Sequence, residues 1–269
     1  MKLALRFLFS IGLAFVCHAR AADPGARNNR IPEGKGETTQ AGKFVPTTKE
    51  DARPVKPEEA EKQLRENLKV EELAPGRFRI GRVRFDTRAR TVSLPAEVHM
   101  RRGMIEYALT TEKGKAHEAM LTTKASPRDV HLACLLLGMT GSPPAGAAGE
   151  AMKLQRAQSV DISVSWETNG PVRTLPLASL LELAACAPGG TISPMPANPW
   201  HYTGSRFCGP AIFAAEAEGS LISLIRDDSA LVNNPGPSRD DDTIHQPNSS
   251  ALPPQGTPVT VILQAPPKP

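Results

Sequence analysis

Alternation of apolar and polar residues with a period of two is the dominant pattern of the chain after residue 76. It is clearest at residues 160–166, where every second residue is Val, Ile or Trp. This period indicates strands with one buried face. The same pattern predicts further strands at residues 92–98, 104–111, 117–123, 200–207, 211–215, 221–225 and 259–263.

Arginines fill the polar positions of the first such segment, residues 77–84, and the phase of the alternation changes by one residue at Gly81. We interpret this shift as a β-bulge that joins two halves of one strand. A row of arginines is typical of an edge strand that is protected from pairing with other chains. Binding of an anionic polymer of the cell envelope is the alternative.

Helical patterns are predicted at three places. The first follows Pro57, repeats apolar residues at four-residue spacing and ends before Pro75. The second begins at the capping residue Ser126, ends at Gly138 and is expected to bury Cys134 as an inert thiol. A third, short helix is expected at residues 179–186.

Several strands with one capped helix and a second short one predict the α+β class. We expect a single domain at residues 57–264, built on a largely antiparallel β-sheet. The proline-rich residues 265–269 are expected to form a free tail.

The N-terminus has the three parts of a secretory signal peptide. A short basic region precedes an apolar run at residues 7–17, and Ala19-Arg20-Ala21 forms a cleavage pattern. We therefore assign residues 1–22 to a signal peptide, and the polar residues 23–56 to a disordered linker. Export to the periplasm or the medium follows, and a lipid anchor at Cys17 is less favoured because Val16 precedes it.

The net charge of the chain gives no support to nucleic acid as a partner. The formal charge of +4 falls to about +1 when Lys2, Arg6 and Arg20 leave with the signal peptide. A charge so small gives no overall reason to expect nucleic acid as a partner. No other stretch has the roughly 18 consecutive apolar residues of a transmembrane segment.

Three cysteines remain after removal of Cys17, and none belongs to a C-x-x-C motif. Cys134 lies on the apolar face of the predicted capped helix. Cys186 ends the short helix, and Cys208 lies at a strand end beside Gly209-Pro210. In an oxidising compartment Cys186 and Cys208 are therefore the preferred candidates for a disulfide.

The order of several short motifs resembles the YdjY-like family of secreted bacterial domains. The resemblance covers residues 77–263 and rests on Glu106-Tyr107, Gly114-Lys115-Ala116-His117-Glu118, Val164-Ser165-Trp166-Glu167, Trp200-His201-Tyr202-Thr203-Gly204-Ser205, Glu218-Gly219-Ser220-Leu221-Ile222, Asn233-Asn234-Pro235 and Asp240-Asp241-Asp242, among others. It implies an exported envelope domain. It supplies no catalytic residues, because the family has no settled activity.

Glu106, His117 and Glu118 form the candidate polar site. If residues 112–115 make a hairpin turn of two or four residues, Glu106 and His117 share one face of the sheet; a three-residue loop exchanges His117 for Glu118. A His/Glu pair can bind a metal ion or transfer protons. A cross-strand hydrogen bond that holds the strand register is the structural alternative.

Two other groups are weaker candidates. Asp240, Asp241 and Asp242 supply oxygen ligands for Ca²⁺, but their spacing differs from that of an EF-hand. Trp200, Tyr202 and Ser205 lie in the densest aromatic segment, which forms either core or the floor of a groove.

From the sequence we expect an exported, non-enzymatic binding or accessory module that acts on an envelope protein or ligand and needs no cofactor. The alternative is a metal-dependent enzyme that uses His117 with Glu106 or Glu118.

Overall fold

Strands dominate the computed structural model, which describes residues 69–141, 158–184, 190–208 and 212–267. These residues belong to one compact unit, Leu64–Pro269. The predicted signal peptide, the linker and residues 57–68 of the first predicted helix lie outside the described residues. The strands, numbered in chain order, are β1 Glu71–Ala74, β2 Arg77–Ile80, β3 Val83–Asp86, β4 Thr91–Val98, β5 Tyr107–Thr111, β6 Ala119–Thr123, β7 Ser159–Trp166, β8 Arg173–Pro176, β9 Leu181–Leu183, β10 Ser193–Pro194, β11 Trp200–Tyr202, β12 Phe207–Cys208, β13 Ile212–Phe213, β14 Ser220–Ser223, β15 Val232–Asn233, β16 His245–Pro247 and β17 Pro258–Gln264.

Helices are few in the described part of the chain. The α-helices there are α1, Pro127–Leu136, and the short α2, Ala214–Glu218. Single turns of 3₁₀-helix occur at Ala116–Glu118, Leu177–Leu180 and Pro237–Asp240.

Eight strands close into a mixed β-barrel in the order β4-β17-β7-β11-β15-β14-β5-β6, and β6 pairs back to β4. Strands β3, β2 and β1 extend the sheet from β4, and β8 pairs with β7, so that the sheet has 12 strands. The pairs β5–β6 and β14–β15 are parallel. The expected α+β fold with a largely antiparallel sheet is therefore wrong: the protein is mostly β, and its sheet closes.

The connection between β5 and β6 explains part of this difference. Residues 112–115 were expected to form a hairpin turn between antiparallel strands, but residues 112–118 carry the chain back to the start of β5 through the 3₁₀ turn. Tyr107 thus pairs with Ala119, and Thr111 with Thr123, in parallel register. Gly219 makes room for this crossing, because a Cβ there would lie 2.2 Å from Thr111 Oγ1 and 2.8 Å from Gly114 Cα.

The arginine-rich segment is a hairpin and not one bulged strand. Strands β2 and β3 pair in antiparallel register, with Ile80 opposite Val83. The turn between them uses Gly81 at a φ of 53°. The change of phase arises because the chain reverses there, and the rings of Phe78 and Phe85 stack at 5.1 Å on the inner side.

The described parts of two predicted helical segments adopt other structures. Residues 71–74 form β1, and residues 177–183 form a 3₁₀ turn followed by β9. Strand β1 pairs with β2, and strand β9 pairs with β16. Pairing of their backbone groups outweighs the weak local helical preference.

Helix α1 confirms the prediction from its capping residues. Ser126 accepts a hydrogen bond from the Asp129 amide, and Pro127 occupies the first turn. Gly138 follows the helix with a φ of 79°, the left-handed backbone conformation in which many α-helices end. The helix buries Val130, worth about 2 kcal/mol of transfer free energy, together with Cys134, which is a free and fully buried thiol.

The core fills the barrel and continues beneath α1. Strand β17 has the expected alternation, with Val259, Val261 and Leu263 buried between β4 and β7. Ala265, which the sequence assigns to the tail, is buried as well and donates its amide to the Arg90 carbonyl.

Candidate functional site

The parallel arrangement of β5 and β6 brings the three candidate residues of the polar site together. The Glu106 amide donates to the Glu118 carbonyl at 3.0 Å. Glu118 also lies 2.8 Å from His117, measured from Oε1 to Nε2. The expected antiparallel register of Glu106 with this segment is wrong, and Glu118 is the residue that contacts both others.

Glu106 and Glu118 form a carboxyl pair. Burial raises the pKa of Glu106, and the neighbouring Glu118 raises it further through its charge and a side-chain hydrogen bond. A raised pKa means that Glu106 holds a proton more readily than an ordinary carboxyl group. The His117 side chain is 75% exposed, so it lies beside this pair on the surface and not within a cleft.

A second set of polar groups lies next to the carboxyl pair. Lys115 Nζ donates to the Tyr107 hydroxyl at 2.8 Å, and that hydroxyl donates to Asp227 Oδ2 at 3.0 Å. Burial raises the pKa of Tyr107 to about 12, so its phenol stays protonated and able to donate. The hydrogen bond to Tyr107 in turn raises the pKa of Lys115.

Hydrogen bonds continue from Asp227 into the barrel wall. The backbone amide of Asp227 donates to the side-chain oxygen Oδ1 of Asn233. The side-chain nitrogen Nδ2 of Asn233 in turn donates to Thr203 Oγ1 at 3.1 Å. Close by, Ser229 donates its hydroxyl to Glu218 Oε1 at 2.7 Å. Residues from the motifs that carry the family resemblance thus meet at one place, and their polar atoms are occupied by each other.

The sequence singled out Glu106 but missed Tyr107, Lys115 and Asp227 as a connected group. Nothing in their spacing relates them, because Asp227 is 120 residues from Tyr107. Tyr107 and Lys115 lie in motifs of the family resemblance, which was the available signal, and the tertiary structure supplied the contacts.

The three consecutive aspartates, Asp240, Asp241 and Asp242, each lie next to a different side chain. Asp240 makes an ion pair with Arg226, and Asp241 accepts from the amide and hydroxyl of Thr243. Asp242 lies near Glu106. Across the part of the chain that the structure describes, no three His, Cys, Asp or Glu side chains converge closely enough to hold a metal ion.

The three candidate groove residues occupy different environments. Tyr202 is fully buried and its hydroxyl lies 2.8 Å from Nδ1 of His131. Ser205 is half-buried and donates to the Ser229 carbonyl. Trp200 lines a cleft of about 280 Å³ whose other walls include Asp161, Ser163, Pro176, Asn198, Pro199 and Gln264.

This cleft opens on a broad surface that we term the outer face, the solvent-facing side of β2, β3, β4, β17, β7 and β8. The pairing of these strands aligns their side chains in rows that cross the sheet. One row runs Arg79, Arg84, Ser93, Ile262, Ser163 and Pro176. A second runs Arg77, Asp86, Thr91, Gln264 and Asp161.

The arginine end of the outer face has one unusual arrangement. Arg79 and Arg84 lie directly opposite each other, and like charges in this position repel. Arg79 is paired with Glu71. Arg84 is exposed and makes no ion pair within the described residues.

The candidate disulfide lies outside what the structure describes. Cys186 belongs to the undescribed residues 185–189, and the side chain of Cys208 is not described either. The pairing stays a prediction.

Comparison with known proteins identifies one family. The model of the YdjY domain matches residues 83–264. No curated protein and no solved structure matches the chain. None of the helices in the described ranges is long and apolar enough to cross a membrane.

Proposed function

Because this chain belongs to the YdjY domain family, we propose that it works as an exported, non-enzymatic binding module of the cell envelope. Export is supported by the basic, apolar and A-x-A segments of the N-terminus, in that order. The outer face is the proposed binding surface. The observation that carries this proposal is the exposed Arg84, which makes no ion pair within the described residues and lies opposite Arg79 in a row that leads to the cleft at Trp200.

The polar site at Glu106 supports binding less well than the outer face. Its Lys115, Tyr107 and Asp227 side chains already satisfy each other, and His117 is an exposed neighbour of Glu118. We assign these residues to holding the 112–118 crossing against β5. This crossing closes the barrel and thereby supports the strands of the outer face.

Export is tested by mass spectrometry of the protein recovered from the envelope of its own cells. We expect a mature N-terminus at Ala22 or Asp23. An intact Met1 on protein from that fraction would contradict export.

Binding is tested by arginine labelling with phenylglyoxal, in the presence and absence of a solubilised envelope fraction. We expect protection of Arg84 from the reagent, while Arg102, an exposed arginine of the β4–β5 connection, remains reactive. Equal labelling of Arg84 in both samples would show that the outer face is not the binding surface.

A further inference from the structure

The charged and polar side chains of the outer face indicate the chemical class of its ligand. We propose that it binds an acidic polysaccharide, with a carboxylate of the sugar chain held between Arg79 and Arg84 and the following sugar units lying across the strands toward the Trp200 cleft. This inference rests on the proposed function, since it names the ligand class of the same surface.

The arginine end supplies the site for a negative group. Six cations and three carboxylates lie at residues 69–88: Lys69, Arg77, Arg79, Arg82, Arg84 and Arg88 against Glu71, Glu72 and Asp86. Glu71 neutralises Arg79 and Asp86 lies 3.5 Å from Arg77, whereas Arg82 and Arg84 have no ion pair within the described residues. A carboxylate placed between Arg79 and Arg84 would neutralise Arg84, the one of the two without an ion pair within the described residues, and accept paired hydrogen bonds from its guanidinium group.

Beyond the arginines the outer face offers short hydroxyl and amide groups. Thr91, Ser93 and Gln264 follow on β4 and β17, and Ser163 and Ser165 follow on β7. The row from β2 to β8 crosses five strand spacings, or roughly 24 Å, which accommodates several units of an extended polymer. Hydroxyls at this spacing match the hydrogen-bonding groups of a sugar chain.

At the end of the outer face opposite the arginines, the Trp200 cleft provides a concave site for the last units of the same ligand. The cleft contains Asp161 and Asn198, which present a carboxylate and an amide to sugar hydroxyls, whereas the neighbouring Gln264 donates its amide nitrogen to the Ala89 carbonyl. Pro176, Pro199 and Trp200 supply apolar wall beside them. A cleft with an apolar wall and a few convergent polar groups is the usual form of a small-ligand site.

An acidic protein is the competing partner, and the side chains of the outer face argue against it. Protein interfaces depend on buried aromatic and large apolar anchors. The large exposed hydrophobic residues of the described chain lie elsewhere than the central rows: Val70, Leu73, Met104, Leu135, Val172, Ile192 and Ile212. In the first row the one large apolar residue, Ile262, is half-buried between Ser93 and Ser163, whose hydroxyls flank it.

The test measures binding of the purified protein to polygalacturonate and hyaluronate, two acidic polysaccharides with different linkages. Fully methyl-esterified polygalacturonate retains the sugar chain without its charge, and polyglutamate retains the charge without sugar. We expect at least one acidic polysaccharide to bind at least tenfold more tightly than either control polymer. High salt should weaken this binding, because exposed charges are screened.

Variants locate the site. Arg84→Gln should weaken polysaccharide binding about tenfold, as expected for loss of a hydrogen bond between charged groups, while Arg102→Gln should leave it unchanged. Ser163→Tyr should block the row with a residue that strands accept well, and Ser249→Tyr, in the exposed loop before β17, serves as its control. Circular dichroism checks that each variant is folded.

Three results would overturn the assignment of an acidic polysaccharide: failure of both polysaccharides to bind, equally tight binding of polyglutamate, or equally tight binding of the methyl ester. If Arg84 is nevertheless protected by the envelope fraction, the ligand class fails while the proposed binding function stands. If that protection is also absent, both fail.

Discussion

The hydroxyl oxygen of Tyr202 lies 2.8 Å from Nδ1 of His131, and this hydrogen bond joins strand β11 of the barrel to helix α1. The same hydroxyl interacts with Cys134, one turn further along the helix. Because Tyr202 is fully buried, its hydroxyl and its two partners depend on each other for hydrogen bonding. The contact thus fastens the helix to the barrel with specific geometry.

Tyr202→Phe is expected to lower the free energy of unfolding by about 1–3 kcal/mol, since it leaves His131 and Cys134 without their partner. Urea denaturation measures this loss. Tyr107→Phe is the matched control, and we expect it to cost less because both of its partners, Lys115 and Asp227, are half-buried and can turn to water, whereas Cys134 is fully buried. Equal losses for the two variants would contradict the importance of the buried Cys134 as a partner of Tyr202.

Stability is expected to fall as the pH is lowered from about 6.5 to 4. Burial lowers the pKa of both His131 and His245 to about 4, whereas an unfolded histidine titrates near 6.5. The unfolded chain therefore binds more protons within this window, and each histidine removes up to roughly 3 kcal/mol of stability as the pH drops through it. Above pH 6.5 this contribution is fully present.

His245→Phe isolates one of these two contributions. Both ring nitrogens of His245 are buried without a hydrogen-bond partner among the described residues, so we expect the variant to be at least as stable as the parent at pH 7. It should also lose less stability than the parent between pH 6.5 and 4. Parallel stability curves for the two proteins over that range would refute the assignment.

Gly219→Ala is expected to destabilise the protein by more than about 2 kcal/mol. The new Cβ would meet Thr111 Oγ1 and the Gly114 backbone, and the residue has a φ of 74°. Gly256→Ala is the matched control: its φ is 80°, but nothing lies within 4 Å of the added Cβ. Thermal unfolding should show a clearly larger decrease in melting temperature for Gly219→Ala than for Gly256→Ala. Equal melting temperatures of the two variants would show that the close packing around Gly219 is unimportant.

His117→Ala is expected to change stability by less than about 0.5 kcal/mol, since the side chain is 75% exposed and its contact with Glu118 lies at the surface. Lys124→Ala, which removes an exposed ion pair with Glu112, is the control. A loss above 1 kcal/mol from His117→Ala alone, measured by urea denaturation, would show that His117 helps to hold the strand register.

Peptide mapping under non-reducing conditions tests the cysteines. We expect exported protein to contain a Cys186–Cys208 disulfide, which would stabilise it by roughly 3 kcal/mol through closure of a loop of about 20 residues. Cys134 should react with iodoacetamide only after unfolding, because burial raises its pKa to about 12. Recovery of Cys186 and Cys208 as separately alkylated thiols would exclude the disulfide.

Local patterns were sufficient for several elements. Helix α1 follows from Ser126, Pro127 and Gly138, which act within one turn of the helix ends. Strands β4, β7 and β17 follow from their alternation, because one face of each is buried. The motifs of the YdjY family also lie in the sequence itself.

Closure of the barrel and assembly of the polar groups were decided by the tertiary structure. The residues 112–118 have the composition of a tight turn, so their local preference suits a hairpin as well as the observed crossing. Pairing of β6 with both β4 and β5 selects the crossing, and it makes β5 and β6 parallel where an antiparallel pair was expected. Likewise, the approach of Asp227 to Tyr107 depends on strand order in the closed sheet, which alternation along a single strand does not encode.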